Sequence, residues 1–499
     1  MGRNLMKTFS SLLLVFLIPL ISSCSSSKIE VNPAYNYVAE GRGTWISSSK
    51  RVNWDSTMAA LSEAGFNMVF PYACSAGAAF YPSEFVPMVS ERDELKLCVE
   101  AAHRHGIEVH ALKVNWQMEN TPDEFNQEMI QAGRIQYAPD GRRSTEVAAS
   151  YGWPRKGESL CPSQEANRQL ELDLMLEMVK KYDVDGVNFD YMRYEFEPLC
   201  YCDKCRENFT RETGLELKWP DDVWKGGKYR ELYLDWRRYL IHSSAREIAR
   251  AVHTYDPYAC VSICARRQLI QHVYESDAQV WWEWIKEGIL DFVTPMNYSD
   301  DPEGYIGFIK QQFPLIKGAL PYYGGVGVFR MKKFEPVKKA IELGRGIGED
   351  GYNTFNIRTL LPLLEQFKSA GVNSPPALLP HRAPETRFYV ESSGRESEEG
   401  FQIYSPDSEV SFKVDVMFRA KLREGISRIQ GDIVLQKTNG EIVTKISTID
   451  LDKAAIISLS TKCGEQGLYR LALYGAMTLS TGEVKPFITK SFPFQVRVS

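Results

Sequence analysis

Residues 183–194 read DVDGVNFDYMRY. The period of two in a strand places Val187, Phe189 and Tyr191 on one face and Gly186, Asn188 and Asp190 on the other. In a half-exposed antiparallel strand the polar face would simply meet water. In a parallel barrel the apolar set must meet the surrounding helices, so Asn188 and Asp190 turn inward, with Asp190 at the C-terminal end where such enzymes keep their active sites. A desolvated carboxylate there needs a partner, and Arg193 is the nearest cation in the chain.

The flanking sequence favours the barrel. Strand-like runs at Gly41–Ile46, Asn67–Tyr72, Ile107–Asn115, Val184–Tyr191, Tyr258–Ala265, Leu290–Tyr298, Ala319–Tyr323 and Tyr352–Arg358 alternate with helix-like segments. In Ser163–Tyr182, for example, Leu172, Met175, Leu176 and Val179 form an apolar stripe behind an N-cap at Ser163. Eight such units over residues 38–372 predict an α/β fold, a (β/α)8 TIM barrel. A doubly wound open sheet is the alternative, but no Gly-x-Gly-x-x-Gly turn follows the first strand. Two long connections, Gln117 to Leu160 and Met192 to Gly227, leave strand ends and so rise over the C-terminal face as walls of a cleft.

Residues 373–386, rich in proline, read as a linker. Beyond them, residues 387–499 alternate apolar and polar positions with turns at Asn439-Gly440 and Thr481-Gly482, which predicts a C-terminal all-β sandwich of immunoglobulin or fibronectin type. At the other end, Arg3 and Lys7 precede an apolar run, Leu12 to Ile21, too short for a permanent membrane span, followed by Ile21-Ser22-Ser23-Cys24. The expectation is a lipoprotein signal over residues 1–23, acylation of Cys24 and a tether over 24–37. An ordinary secretory signal is the competing reading. Export, with a lipid anchor as the sole membrane attachment, places the protein at the bacterial cell envelope.

The chain has 499 residues, 44% hydrophobic and 25% charged, with a formal net charge of −5, so it carries no basic footprint for nucleic acid. Ten cysteines are present. Cys200, Cys202 and Cys205 cluster in the second long connection and predict either a disulfide or a structural metal completed by a ligand from elsewhere. No other cofactor is expected. Ser/His/Asp chemistry finds no Gly-x-Ser-x-Gly elbow, and His103 and His105 face apart on a helix.

Polar and aromatic groups gather at the predicted strand ends: Arg42 and Trp45, Tyr72, Lys113, Asn115 and Trp116, Asn188 and Arg193, Asn297 and Tyr298, and Arg358. Their convergence on one rim would suit a sugar, whose faces stack on aromatic rings and whose hydroxyls bind fixed polar groups.

The stretches GRGTW, FYPSE, GIEVHALKVNW, LCPSQEANR, YDVDGVNFDYMRY, CYCDKCRENFTRETG and GILDFVTPMNY occur in this order and together resemble the bacterial glycosyl-hydrolase-like family 10 lipoproteins. The resemblance implies a TIM barrel related to amylase-like glycosidases, a poly- or oligosaccharide substrate with peptidoglycan strands among the candidates, and Asp190 as nucleophile or stabilising carboxylate. Glycoside hydrolysis usually needs a second carboxyl. The fifth strand offers none, which leaves Glu195 first, then Glu275, Asp277, Asp300 and Asp301. Without such a partner the chain would be a non-catalytic carbohydrate-binding lipoprotein.

Overall fold

The computed structural model describes residues 32–47, 52–268 and 271–498. Cys24 and the apolar run before it lie outside these residues. Eight parallel strands form one sheet: β1 (Gly41–Ile46), β2 (Met68–Ser75), β3 (Glu108–Val114), β4 (Gly186–Asp190), β5 (Cys260–Ile263), β6 (Phe292–Val293), β7 (Tyr323–Gly327) and β8 (Gly351–Phe355). Their order is β6-β5-β4-β3-β2-β1-β8-β7. The ring nearly closes where Val293 bridges Tyr322 in parallel. Helices α1 (Trp54–Glu63), α2 (Glu94–Arg104), α3 (Glu165–Lys181), α4 (Arg230–Tyr255), α5 (Trp281–Lys286), α6 (Pro302–Ile316), α7 (Phe334–Ile347) and α8 (Leu364–Ser369) follow the strands in turn. This is the predicted TIM barrel. Among the described residues no helix is long and apolar enough to cross a membrane.

The pleat sorts side chains into two cores. Trp45, Met68, Phe70, Leu112, Val114, Cys260, Cys264, Phe292 and Tyr323 fill the barrel interior, while Val69, Val109, Ala111, Val187, Phe189 and Val261 face the helices. Strand β4 therefore has the phase read from DVDGVNFDYMRY at Val187 and Phe189, but Tyr191, expected on their face, is turned by its positive φ to pack against the interior set instead. On α3 the buried face carries Glu171, Leu174, Met175 and Met178, and the cap is Gln164. Leu172 and Leu176 from the predicted stripe are only half-buried. The expected cap, Ser163, instead directs its hydroxyl to Cys161 at 3.1 Å.

Residues 373–386 do more than link. Ala377–Leu378 pairs in parallel with Val38–Ala39. His381 then enters the N-terminal end of the barrel, where its ring stacks on Phe292 at 4.7 Å and its two nitrogens meet Tyr323 Oη and Glu108. Arg382 closes this plug by pairing with Glu108.

The C-terminal region is rich in sheet. One sheet contains β9 (Thr386–Val390), β11 (Glu409–Val416) and β14 (Ala455–Lys462). The other contains β10 (Ile403–Tyr404), β12 (Ile426–Lys437), β13 (Ile442–Leu451), β15 (Gly467–Leu479), β16 (Val484–Lys490) and β17 (Phe494–Val496). Val410, Phe412 and Val414 from the first pack with Ile433, Leu471 and Leu473 from the second. Both predicted glycine turns connect neighbouring strands here, β12 to β13 and β15 to β16, with Gly440 and Gly482 at positive φ.

Candidate active site

Strand β4 delivers Asp190 to the C-terminal mouth of the barrel, where its side chain is 18% exposed. The next residue, Tyr191, adopts a left-handed conformation (φ 52°), sparsely populated for a residue with a side chain. This turn brings the Tyr191 N–H back to Asp190 Oδ1 at 2.8 Å. Arg193 follows, buried, with Nη1 3.7 Å from the same oxygen and its guanidinium 3.9 Å from the Tyr191 ring centroid. Burial pushes the Asp190 carboxyl up to about 6, against the opposing pull of Arg193 and the Tyr191 N–H, and the charge of Glu119 adds to the rise.

A cavity of about 540 Å³ opens beside this carboxylate. Tyr151, Trp153 and Arg155 from the β3–α3 connection line one side, and Tyr191, Arg193, Glu195, Phe196 and Glu197 from the β4–α4 connection line the other. Arg266, His272, Glu275 and Ser276, beyond β5, complete the wall. The two long connections thus form a cleft, as their positions in sequence suggested. Tyr151 is 53% exposed and Trp153 66%. Large aromatic surfaces left open beside a polar cavity match the chemistry of a pyranose ring, apolar on its faces and hydroxylated at its edges.

Glu195 lies in this cleft, but its oxygens are engaged by the guanidinium of Arg155 and by Gln117 Nε2 at 2.5 Å. Both carboxylate oxygens of Glu195 are thus occupied by donors of the β3–α3 connection. Its observed work is to clamp Arg155 across the cleft. The other acids considered as partners divide clearly. Asp277 is fully buried, its Oδ2 bonded to Arg266 Nε at 2.9 Å, and burial raises its carboxyl above the usual range. Asp301 caps α6 by accepting from the Gly304 N–H, and Asp300 pairs with Arg330 on the surface. Glu275 lines the cavity and accepts from Gln271.

An acid that sequence reasoning did not weigh is Glu119. It stands on the loop just beyond β3, exposed, and its charge acts on Asp190, Arg155 and Tyr72. Its signal was available: an acid directly after a barrel strand, in Gln117-Met118-Glu119-Asn120, rises over the catalytic face. Tyr72 is buried in the barrel interior below it, with its hydroxyl 3.4 Å from Asn120 Nδ2. Tyr298 packs against Trp45 and Phe355, and the charges of Asp190 and Arg193 reach it.

Several of the expected rim residues are elsewhere. Lys113 and Asn115 point to the helix layer, where both donate to Glu171 of α3 at 2.6 Å. Trp116 donates its backbone N–H to Glu171 and is buried in the outer core. Arg42 is held by Glu40 and by the carbonyls of Asn373 and Pro375. Asn297 belongs to a buried network with Gln312 and Tyr322. Asn188 is inside the barrel, donating to Ser262 Oγ at 2.8 Å and accepting from Cys264. Arg358 sits exposed on the short helix Ile357–Leu360. Of the predicted binding set, the structure brings Arg193 and Tyr298 to Asp190, while Tyr72 meets Asn120 and Phe80.

The model of the family described as glycosyl hydrolase-like 10 matches residues 40–305. Among solved structures, the glycoside hydrolase domain of PgaB (BpsB) from Bordetella bronchiseptica is similar with a TM-score of 0.52 at 12% identity, covering 66% of this chain and 98% of that one. The α-L-fucosidase isoenzyme 2 from Paenibacillus thiaminolyticus gives a TM-score of 0.49 at 16% identity over 67% of this chain. The match spans 49% of the fucosidase chain. At these identities the likeness concerns the fold. No curated protein sequence matches the chain.

Proposed function

The chain belongs to the glycosyl hydrolase-like 10 family, whose model spans more than half its length, and from that premise we propose that it hydrolyses a glycosidic bond with Asp190 and Glu119 as its working carboxyls. The observation that carries the reading is Asp190: a partly desolvated acid, poised near pH 6, at the C-terminal end of a barrel strand and beside an aromatic-walled cavity. Arg193 and the Tyr191 N–H favour its ionised form at neutral pH, which suits attack on, or stabilisation of, the positive charge that develops at the anomeric carbon. Glu119 then protonates the leaving oxygen. Tyr151 and Trp153 support the sugar faces, while the Arg155–Glu195 clamp offers fixed polar groups to hydroxyls. The signal read at the N-terminus would place this cleft at the cell envelope, anchored through Cys24, which makes peptidoglycan strands the first glycan to test.

The test is release of new reducing ends by the full chain from purified peptidoglycan, with and without stem peptides, and from a panel of plant and host glycans. Asp190→Asn and Glu119→Gln should each abolish release on whichever glycan the parent cleaves. Undiminished release by both variants would overturn the assignment. Tight binding by the parent with no release from any glycan would show a carbohydrate-binding protein instead.

A further inference from the structure

The three cysteines of the β4–α4 connection acquire a fourth in space. Cys161, at the end of the β3–α3 connection, meets Cys205 at 3.5 Å and Cys202 at 3.5 Å, and Cys202 meets Cys205 at 3.6 Å. Cys200 completes the group, with all four sulfurs within 4.8 Å of one another and all four side chains buried. We propose that Cys161, Cys200, Cys202 and Cys205 bind one zinc ion as a tetrahedral tetrathiolate that ties the two walls of the cleft together.

The geometry separates this from the disulfide alternative. Zinc–sulfur bonds of about 2.3 Å in a tetrahedron require sulfur–sulfur edges of about 3.8 Å, close to the three separations here. Disulfides would instead divide the sulfurs into pairs about 2 Å apart, whereas Cys161, Cys202 and Cys205 are mutually equidistant to within 0.1 Å. None of the nine described cysteines is joined in a disulfide.

The surroundings suit an anionic cluster. Four thiols release four protons on binding Zn²⁺, which leaves a site of net charge −2. Arg237, 1% exposed, lies in electrostatic reach of Cys200, and its Nε and Nη1 have no hydrogen-bond partner. Such a buried guanidinium without an anion is costly, and the thiolates would supply the missing charge. The 11-residue helix Asp203–Thr213 begins at the cluster, with Cys202 as its cap and Cys205 in its first turn, so its positive end faces the sulfurs. Ser163 Oγ lies 3.1 Å from Cys161 and 3.5 Å from Cys205, in position to donate to a thiolate. The ligand backbone is already fixed, since Tyr233 Oη donates to the Cys200 carbonyl at 2.6 Å and Asn167 to that of Cys161 at 2.9 Å.

Elemental analysis of the purified full chain should find about one zinc per chain. A mercurial reagent should release that zinc as the four thiols react. Cys161→Ser should lose the metal, while Cys463→Ser, in the sandwich, should keep it. If Cys161→Ser fails to fold, refolding the parent chain with Co²⁺ provides a second readout: the intense absorption of tetrahedral cobalt–thiolate coordination. Absence of zinc, iron in its place, disulfides mapped among these four residues, or full zinc retention by folded Cys161→Ser would each overturn the proposal. These readouts do not depend on glycan cleavage.

Discussion

Replacing Asp190 with Asn should remove turnover and, above pH 6, make the protein more stable. The carboxyl sits at about 6 against an ordinary 3.8 because burial outweighs Arg193 and the Tyr191 N–H. At about 1.4 kcal/mol per tenfold change in proton affinity, that gap makes ionised Asp190 cost the folded state about 3 kcal/mol. The folded protein holds this proton to higher pH than the unfolded chain does. The stability drawn from neutral Asp190 is therefore complete below pH 3.8 and is lost as pH rises through about 6. Asparagine is nearly isosteric and stays neutral throughout. The gap between variant and parent should thus grow from a few tenths of a kcal/mol near pH 4 to about 3 kcal/mol at pH 8. Urea unfolding followed by tryptophan fluorescence at both pH values measures it, and reducing-end release should fall roughly 10³-fold in the same variant. A variant no more stable than the parent at pH 8, or a gap that ignores pH, would refute the account of a carboxylate kept desolvated for chemistry.

Other consequences follow from the same contacts. With Asp190 working as a carboxylate, kcat/KM should climb as pH rises through about 6; a limb that falls there would assign it the proton-donor role. Lys113→Met leaves the buried Glu171 carboxylate with only Asn115 and the Trp116 N–H, and should destabilise the barrel by about 3–5 kcal/mol in urea titrations. Its effect on KM should be small, because Lys113 faces away from the cleft, and a large KM effect with intact stability would contradict that placement. Trp153→Ala removes an exposed aromatic wall and should raise KM roughly tenfold, about 1.4 kcal/mol, with kcat nearly unchanged. An unaltered KM would exclude Trp153 from sugar binding.

Where local periodicity carried the information, the sequence could be read. The phase of β4 follows from Val187 and Phe189 alone, and it delivered Asp190 to the mouth of the barrel. The same rule, applied to β1, would have corrected one expectation. Arg42 and Trp45 lie three residues apart in a strand and cannot share a face, so with Trp45 inside the barrel Arg42 must face outward, where Glu40 holds it. Lys113 shares the parity of Ala111, an outer-core residue, and its charge drew attention away from that register.

By itself the sequence determined the (β/α)8 barrel, the all-β region that follows it and the strand end on which Asp190 stands, because these depend on patterns repeating every two or 3.6 residues. Only the tertiary structure decided which loops meet. It put the charge of Glu119 within electrostatic reach of Asp190, clamped Arg155 from one connection onto Glu195 of the other, and brought Cys161 to within 3.5 Å of Cys202 and Cys205, 41 and 44 residues further along the chain. It also turned the proline-rich linker into a plug at the barrel's N-terminal end, with His381 on Phe292. Loops have no repeating pattern to read. Their side chains find partners through the three-dimensional closure of the barrel, which sets the distance between residues far apart in sequence.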